Sequence, residues 1–141
     1  MPTSPSSVRL VTDFLDEVWS RGNINAAPIY VAERYTVHHD PGDPWDGCKL
    51  TVAQFQERAR ESRCAFPNHR FAVHEVLGAD DKVMVAWQFH GTHMGDLPGF
   101  PASGKCVTLS GMTVYHLNNA KLTAHWQVVD RLGVYHQLRS R

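Results

Sequence analysis

Apolar residues recur at helical spacing at the start of the chain and at strand spacing over its second half. Val8, Val11, Leu15 and Val18 form one stripe, widened by Phe14 and Trp19, and predict a helix with Ser7 as its N-cap and Gly22 as its stop. A second short helix is expected over 24–31, interrupted by Pro28, and Tyr35-Thr36-Val37-His38-His39 reads as a short strand. A loop rich in Pro, Gly and Asp follows, through Pro41, Gly42, Pro44 and Gly47. Thr51-Val52-Ala53-Gln54 is a capping box that opens a third helix, with Val52, Phe55 and Ala59 inward. From Phe71 onward the period changes to two. Segments 71–77 and 83–93 flank a Gly78-Ala79-Asp80-Asp81 turn, and segments 106–117 and 121–130 flank Asn118-Asn119-Ala120.

Helices first and a long antiparallel meander afterwards predict an α+β domain. The chain of 141 residues is expected to be one domain over 1–141, with 1–6 as a flexible tail. A curved sheet wrapped around the helices leaves a cone with one open end. Such concave, largely apolar cavities with a few polar groups are where small ligands bind. Val83, Val85, Trp87 and Phe89 share the apolar parity of their strand, which puts Trp87 on the cavity wall.

Charge narrows the range of partners. Basic and acidic residues balance at 14 each, and no basic run or stripe is visible, so nucleic acid and anionic membrane surfaces are poor partners. No apolar run approaches the length of a membrane span, and Met1 to Ser7 lacks the pattern of a signal peptide. Cys48, Cys64 and Cys106 form no ligand spacing, and their odd number argues against a disulfide framework, so a reducing cytoplasm is expected. Nine histidines are many for this length and point to a pH-sensitive surface or a polar pocket.

Three groups of residues invite chemistry. Gly99 to Lys105 matches most of a phosphate-binding loop, but Cys106 stands where Ser or Thr should hold magnesium, and a strand follows instead of a helix. It reads better as a loop near the cavity mouth. Adjacent His38 and His39 point apart on a strand, as do His90 and His93, so no metal site is expected; one of each pair remains free to face the cavity. On the last strand Ala124, Trp126, Val128 and Asp130 share one face, and His125, Gln127 and Val129 the other. Apolar Trp126 and Val128 mark theirs as the cavity wall, with Met112 and Val114 beside them. His125, Gln127, Val129, Thr113 and Tyr115 then face outward, as a dimer interface. Two roles stand open for Asp130. It is a strand-end aspartate that pairs with Arg131 or caps a turn, which the residues alone favour slightly, or it is a carboxylate on the cavity wall, costly to bury unless used.

Several segments, in order, resemble the SnoaL-like polyketide cyclases, also called predicted ester cyclases, of the nuclear transport factor 2-like superfamily. They are Val18-Trp19-Ser20-Arg21-Gly22-Asn23, Phe66-Pro67-Asn68, Gly91-Thr92-His93-Met94-Gly95, the 99–105 segment, Trp126 with Asp130, and Gly133-Val134-Tyr135-His136-Gln137-Leu138. The resemblance implies an α+β cone, a homodimer joined through the outer sheet face, and aldol-type ring closure of a polyketide-like ester without metal or organic cofactor. It implies Asp130 as the acid/base residue and His116 as its assistant. Strand parity puts Trp87, Met112, Val114 and Trp126 toward a small hydrophobic or polyketide-like ligand, and of the histidine pairs His93 and His39 are the candidates to join them. The chain departs from the family pattern at Asn119-Ala120-Lys121, usually Asp-Gly-Lys, and at Ala124, often acidic. The alternatives are another enzyme on the same cone (isomerase, hydratase, epoxide hydrolase or cofactor-free oxygenase) and a non-catalytic binding module. Epoxide opening ranks below ring closure, because it wants an Asp-Arg-Asp cluster and no inward Arg and second Asp stand out on the strands.

Overall fold

The computed structural model describes residues 5–140, with Pro5 described through its backbone alone. Helix α1 (Pro5–Phe14) runs into a π-helical turn (Leu15–Ser20), and a 3₁₀ turn (Ile24–Ala26) leads into the one-turn helix α2 (Ala27–Tyr30). Strands β1 (Val31–His39) and β2 (Lys49–Thr51) precede α3 (Val52–Ala65). Then come β3 (Arg70–Ala79), β4 (Lys82–Thr92), β5 (Cys106–Asn118), β6 (Lys121–Val129) and α4 (Arg131–Arg139). One curved sheet in the order β2-β1-β6-β5-β4-β3 wraps the helices into an α+β cone. All neighbouring strands run antiparallel except β1 and β6, which pair in parallel. That pairing makes both strands end on the same side of the molecule. No helix among the described residues is long and apolar enough to cross a membrane.

Local chemistry accounts for most element boundaries. Thr51 caps α3 from both sides of the expected box: its hydroxyl accepts from Gln54 N and the Gln54 side chain accepts from Thr51 N. The helix expected over 24–31 is shorter, and β1 begins at Val31. Pro28 sits at the start of α2, where its missing N–H removes no helical bond. Helix α1 is already under way at Pro5, so Ser7 lies inside it; residues 1–4 of the expected tail lie outside the described residues.

The inner face of β4 carries Val83, Val85, Trp87 and Phe89, all buried as expected. Above them Phe14 of α1 packs on Phe55 of α3 and edge-on to Tyr115 of β5, with centroids 6.0 and 5.9 Å away. The parity of β6 is the reverse of the expectation. Thr123 is an extra residue in the β5–β6 ladder, between the pairs Leu117–Leu122 and His116–Ala124. Beyond it His125, Gln127 and Val129 face inward, alongside Thr113 and Tyr115. Trp126, Val128 and Met112 lie outside, 46, 46 and 51% exposed, and Val114, paired with Trp126, shares that face.

Candidate active site

The cone encloses a cavity of about 270 Å³, just under the usual range for small-molecule sites. Much of its wall is aromatic, including Trp19, Trp45, Phe55, Phe71 and Trp87. One end is polar, and Asp40 is its centre. This residue follows β1 directly and is 1% exposed, so bulk solvent does not hydrate its charge. Protein donors replace the water. Trp45 Nε1, His125 Nε2 and Gln127 Nε2 donate to Oδ2 at 2.7, 3.0 and 3.1 Å, and Arg131 Nη2 donates to Oδ1 at 3.1 Å. Burial alone would push the carboxyl's pKa up; hydrogen bonds from His125 and Trp45 and the Arg131 charge outweigh it and hold the pKa below its ordinary value. Asp40 is therefore an ionised carboxylate with its lone pairs engaged.

That engagement fixes its neighbours. With Nε2–H donating to Asp40, His125 turns Nδ1 toward Tyr35 Oη, 2.6 Å away; in the tautomer with Nδ1 bare, Tyr35 donates to it. Burial, followed by the neighbouring Tyr115 and Asp40, raises the Tyr35 pKa well above the ordinary phenol value, so its proton stays in place at neutral pH. Tyr35, His125 and Asp40 form an unbroken line from the cavity wall into the interior.

Cations and anions ring the same end. Arg58 of α3 binds Asp43 through two bonds of 2.9 and 2.6 Å and lies over the Trp45 ring. Arg131, the first residue of α4, reaches both Asp40 and Asp43, the latter at 3.6 Å. Asp40, Arg131 and Asp43 thus make an Asp-Arg-Asp cluster, drawn from a loop and a helix and not from the strands where it was sought. At the other end His69 joins the wall, 1% exposed. Burial, with the Arg63 charge second, lowers its pKa to about 4.

The SnoaL-like polyketide cyclase family model matches residues 9–138. The chain belongs to the SnoaL-like polyketide cyclase family. A structure from Acidithiobacillus ferrooxidans, assigned to the polyketide cyclases, is similar at 47% identity with a TM-score of 0.92, covering 99% of this chain and 98% of that one. IdmH from Streptomyces antibioticus shares the fold at 17% identity and a TM-score of 0.83, covering 97% of this chain and 100% of its own. TsrD from Streptomyces laurentii does so at 20% identity and 0.80, covering 99% of each. No curated protein sequence matches the chain.

Of the site residues expected from sequence, the SnoaL-like cone brings Trp87 alone to the cavity wall. Asp130 is exposed and N-caps α4, where its Oδ1 accepts from Gly133 N at 3.0 Å. It borders a shallow outer groove with Met112 and Val128. The face assignment for Asp130, Trp126, Met112 and Val114 is therefore corrected: apolar residues mark the outside of β6, and the polar inner residues are satisfied by Asp40. His116 lies on the outer face beside His38, opposite Ala124, whereas Asp130 N bonds Ser110 O. Six residues of β5 separate those points, roughly 20 Å at strand rise. His39 stacks on Trp126 at 4.1 Å, outside the cavity. His93 is fully buried away from the cavity; its Nδ1 meets Ser103 Oγ at 2.9 Å and its backbone holds both ends of the 94–104 loop. No group of three or more His, Cys, Asp or Glu among the described residues is arranged to hold a metal ion.

Sequence reasoning missed Asp40, His125, Tyr35, Gln127 and Arg131. The one available signal was an aspartate directly after a strand with a tryptophan five residues on. Asp43 and Asp46 share the loop, and nothing in that signal says which of the three aspartates is buried.

Proposed function

We propose that this chain is a cofactor-free enzyme that closes a small, polyketide-like ester into a ring by aldol-type addition, with Tyr35, His125 and Asp40 as its acid/base relay. The observation that carries the reading is a buried Tyr35–His125–Asp40 line ending at an aromatic-rich cavity of about 270 Å³. A carbon between a carbonyl and an ester is already acidic. Its proton passes to Tyr35 Oη while the phenolic proton moves to His125 Nδ1, and the Asp40 carboxylate stabilises the imidazolium that forms. The enolate carbon attacks the second carbonyl. The new alkoxide takes a proton from Tyr35, which recovers its own from His125. The cavity holds one folded conformer of the ligand, which removes much of the entropic barrier.

Deuterium exchange of ethyl 2-methylbenzoylacetate in D2O, followed by NMR against the enzyme-free rate, tests the first step without needing the true substrate. Wild type should accelerate exchange, and Tyr35→Phe and Asp40→Asn should each lose about a hundredfold or more. The competing assignment, Asp130 with His116, expects Asp130→Asn to carry that loss. Unaltered exchange in Tyr35→Phe would defeat the relay.

The Asp40–Arg131–Asp43 cluster favours one second reading, epoxide opening by an activated water. Incorporation of ¹⁸O from labelled water into a diol would support it. Against it, Asp43 is already held by both arms of Arg58. The outer sheet face, with Met84, Met112, Trp126 and Val128 exposed, fits a homodimer interface in place of the polar face first expected. Three free, exposed cysteines fit a reducing cytoplasm.

A further inference from the structure

Asp40 is also the end point of a hydrogen-bond chain that crosses the inner face of the sheet from β4 through β5 and β6. Trp87 Nε1 donates to Thr113 Oγ1 at 2.8 Å, Thr113 Oγ1 donates to Gln127 Oε1 at 2.6 Å, and Gln127 Nε2 donates to Asp40 Oδ2 at 3.1 Å. The direction of every link is forced. An indole N–H can only donate, and an ionised carboxylate can only accept. Thr113 has one proton, and with Trp87 occupying an acceptor position that proton goes to Gln127. The Gln127 amide is thereby held with its NH2 toward Asp40. The reverse orientation would aim Oε1 at the carboxylate, oxygen against a buried negative charge, a repulsion that low exposure strengthens.

We infer that Trp87, Thr113 and Gln127 are positioning residues that lock the Asp40 carboxylate in place for the relay, an inference that rests on the proposed role of Asp40. Gly111 supplies the room for the first link. It lies opposite Trp87 in the ladder, and a Cβ there would stand 2.3 to 2.8 Å from three indole carbons. Any side chain at 111 moves the indole off Thr113. The chain is more than the satisfaction of buried polar groups, because its last link ends on the one charge that orients His125.

Thr113→Val keeps the shape of the side chain and removes the hydroxyl, so Gln127 loses its orientation. The titratable and charged groups facing Asp40 are Tyr35 on β1, Asp43 and Asp46 on the following loop, Arg58 on α3, Tyr115 on β5, His125 on β6 and Arg131 on α4; of these, Tyr115 also loses its hydrogen bond with Thr113 in the variant. The ¹³C signal of the Asp40 carboxyl, titrated in the ligand-free protein, should move its midpoint up by about one pH unit in Thr113→Val. Thr113→Ser should restore it. In the exchange assay Thr113→Val should lower kcat about tenfold with KM little changed, and shift the acid limb of the profile upward. A merely structural hydroxyl would lower Tm and leave the midpoint at its wild-type value, which would overturn the inference. Asp40→Asn separates the two layers: wild-type exchange in that variant removes the relay, whereas an inactive Asp40→Asn beside an unshifted Thr113→Val removes only the chain. Should Thr113→Val fail to fold, Gly111→Ala displaces the same first link and should raise the same midpoint; an unmoved midpoint there also overturns the inference.

Discussion

Acidification from pH 7 to pH 4 is expected to cost the fold about 3 kcal/mol through His69 alone. The ring is buried against Phe71 and Phe89, its Nε2–H donates to Trp19 O at 2.9 Å, and its Nδ1 has no partner. A second proton would have to sit on that unpartnered nitrogen. Burial, then Arg63, accordingly lowers the folded-state pKa to about 4, against 6.5 in an unfolded chain. The sign follows from proton counting. Between those two values the unfolded chain binds a proton that the native state refuses, so stability is fully present above pH 6.5 and is lost as pH falls toward 4. A separation of about 2.5 units at 1.36 kcal/mol each gives about 3 kcal/mol, or roughly 10 °C in Tm for a chain of this size. Urea unfolding at a series of pH values, for wild type and His69→Gln, isolates the effect. Glutamine keeps a donor for Trp19 and does not titrate, and the carboxylates near pH 4 cancel in the difference. Equal losses of stability for the two proteins between pH 7 and 4 would refute the reasoning.

Other substitutions test separate parts of the structure. Asp130→Ala should cost about 1 kcal/mol by loss of the α4 cap and leave exchange activity intact; paired Tm and rate measurements check it. Ala120 sits at φ 59 in the β5–β6 turn, a conformation that costs a side chain about 1 kcal/mol, so Ala120→Gly should raise Tm by about 3 °C in a thermal scan. Trp126→Lys, on the outer face, should convert the proposed dimer to monomer in light scattering, and an unchanged mass would move the interface elsewhere.

Much of the fold was legible because its signals are local. The Thr51 capping box, the turn placed at Gly78 to Asp81 and the apolar parity of Val83 to Phe89 each depend on a few adjacent residues; the box and the parity stand as read, and the turn tightens to Asp80 and Asp81. The site was not legible because it depends on distant ones. Asp40 is one of three aspartates in a Pro/Gly-rich loop, and what separates it from Asp43 and Asp46 is a set of donors 85 to 91 residues away. The faces of β6 misled for a physical reason. The rule that apolar residues point inward holds where the interior is dry and uncharged, whereas here His125, Gln127 and Thr113 are carried inward by a buried carboxylate. Asp130 resembles the family's catalytic aspartate in position, yet its carboxylate turns to the backbone of α4.

The parallel pairing of β1 with β6 also sets the order of assembly on the ribosome. Strand β1, once made, waits for its main partner until residues 121–129 have followed it. In the interval β1 has only the three-residue β2 at its side, and a long row of unpaired backbone groups is open to other chains. Such a long loop must close before the pairing rewards it, so this step belongs to the slow part of folding. A nascent or truncated chain ending before β6 therefore holds a sticky edge and leaves Asp40 without His125 and Gln127, and its aggregation should fall sharply once Val129 has cleared the exit tunnel.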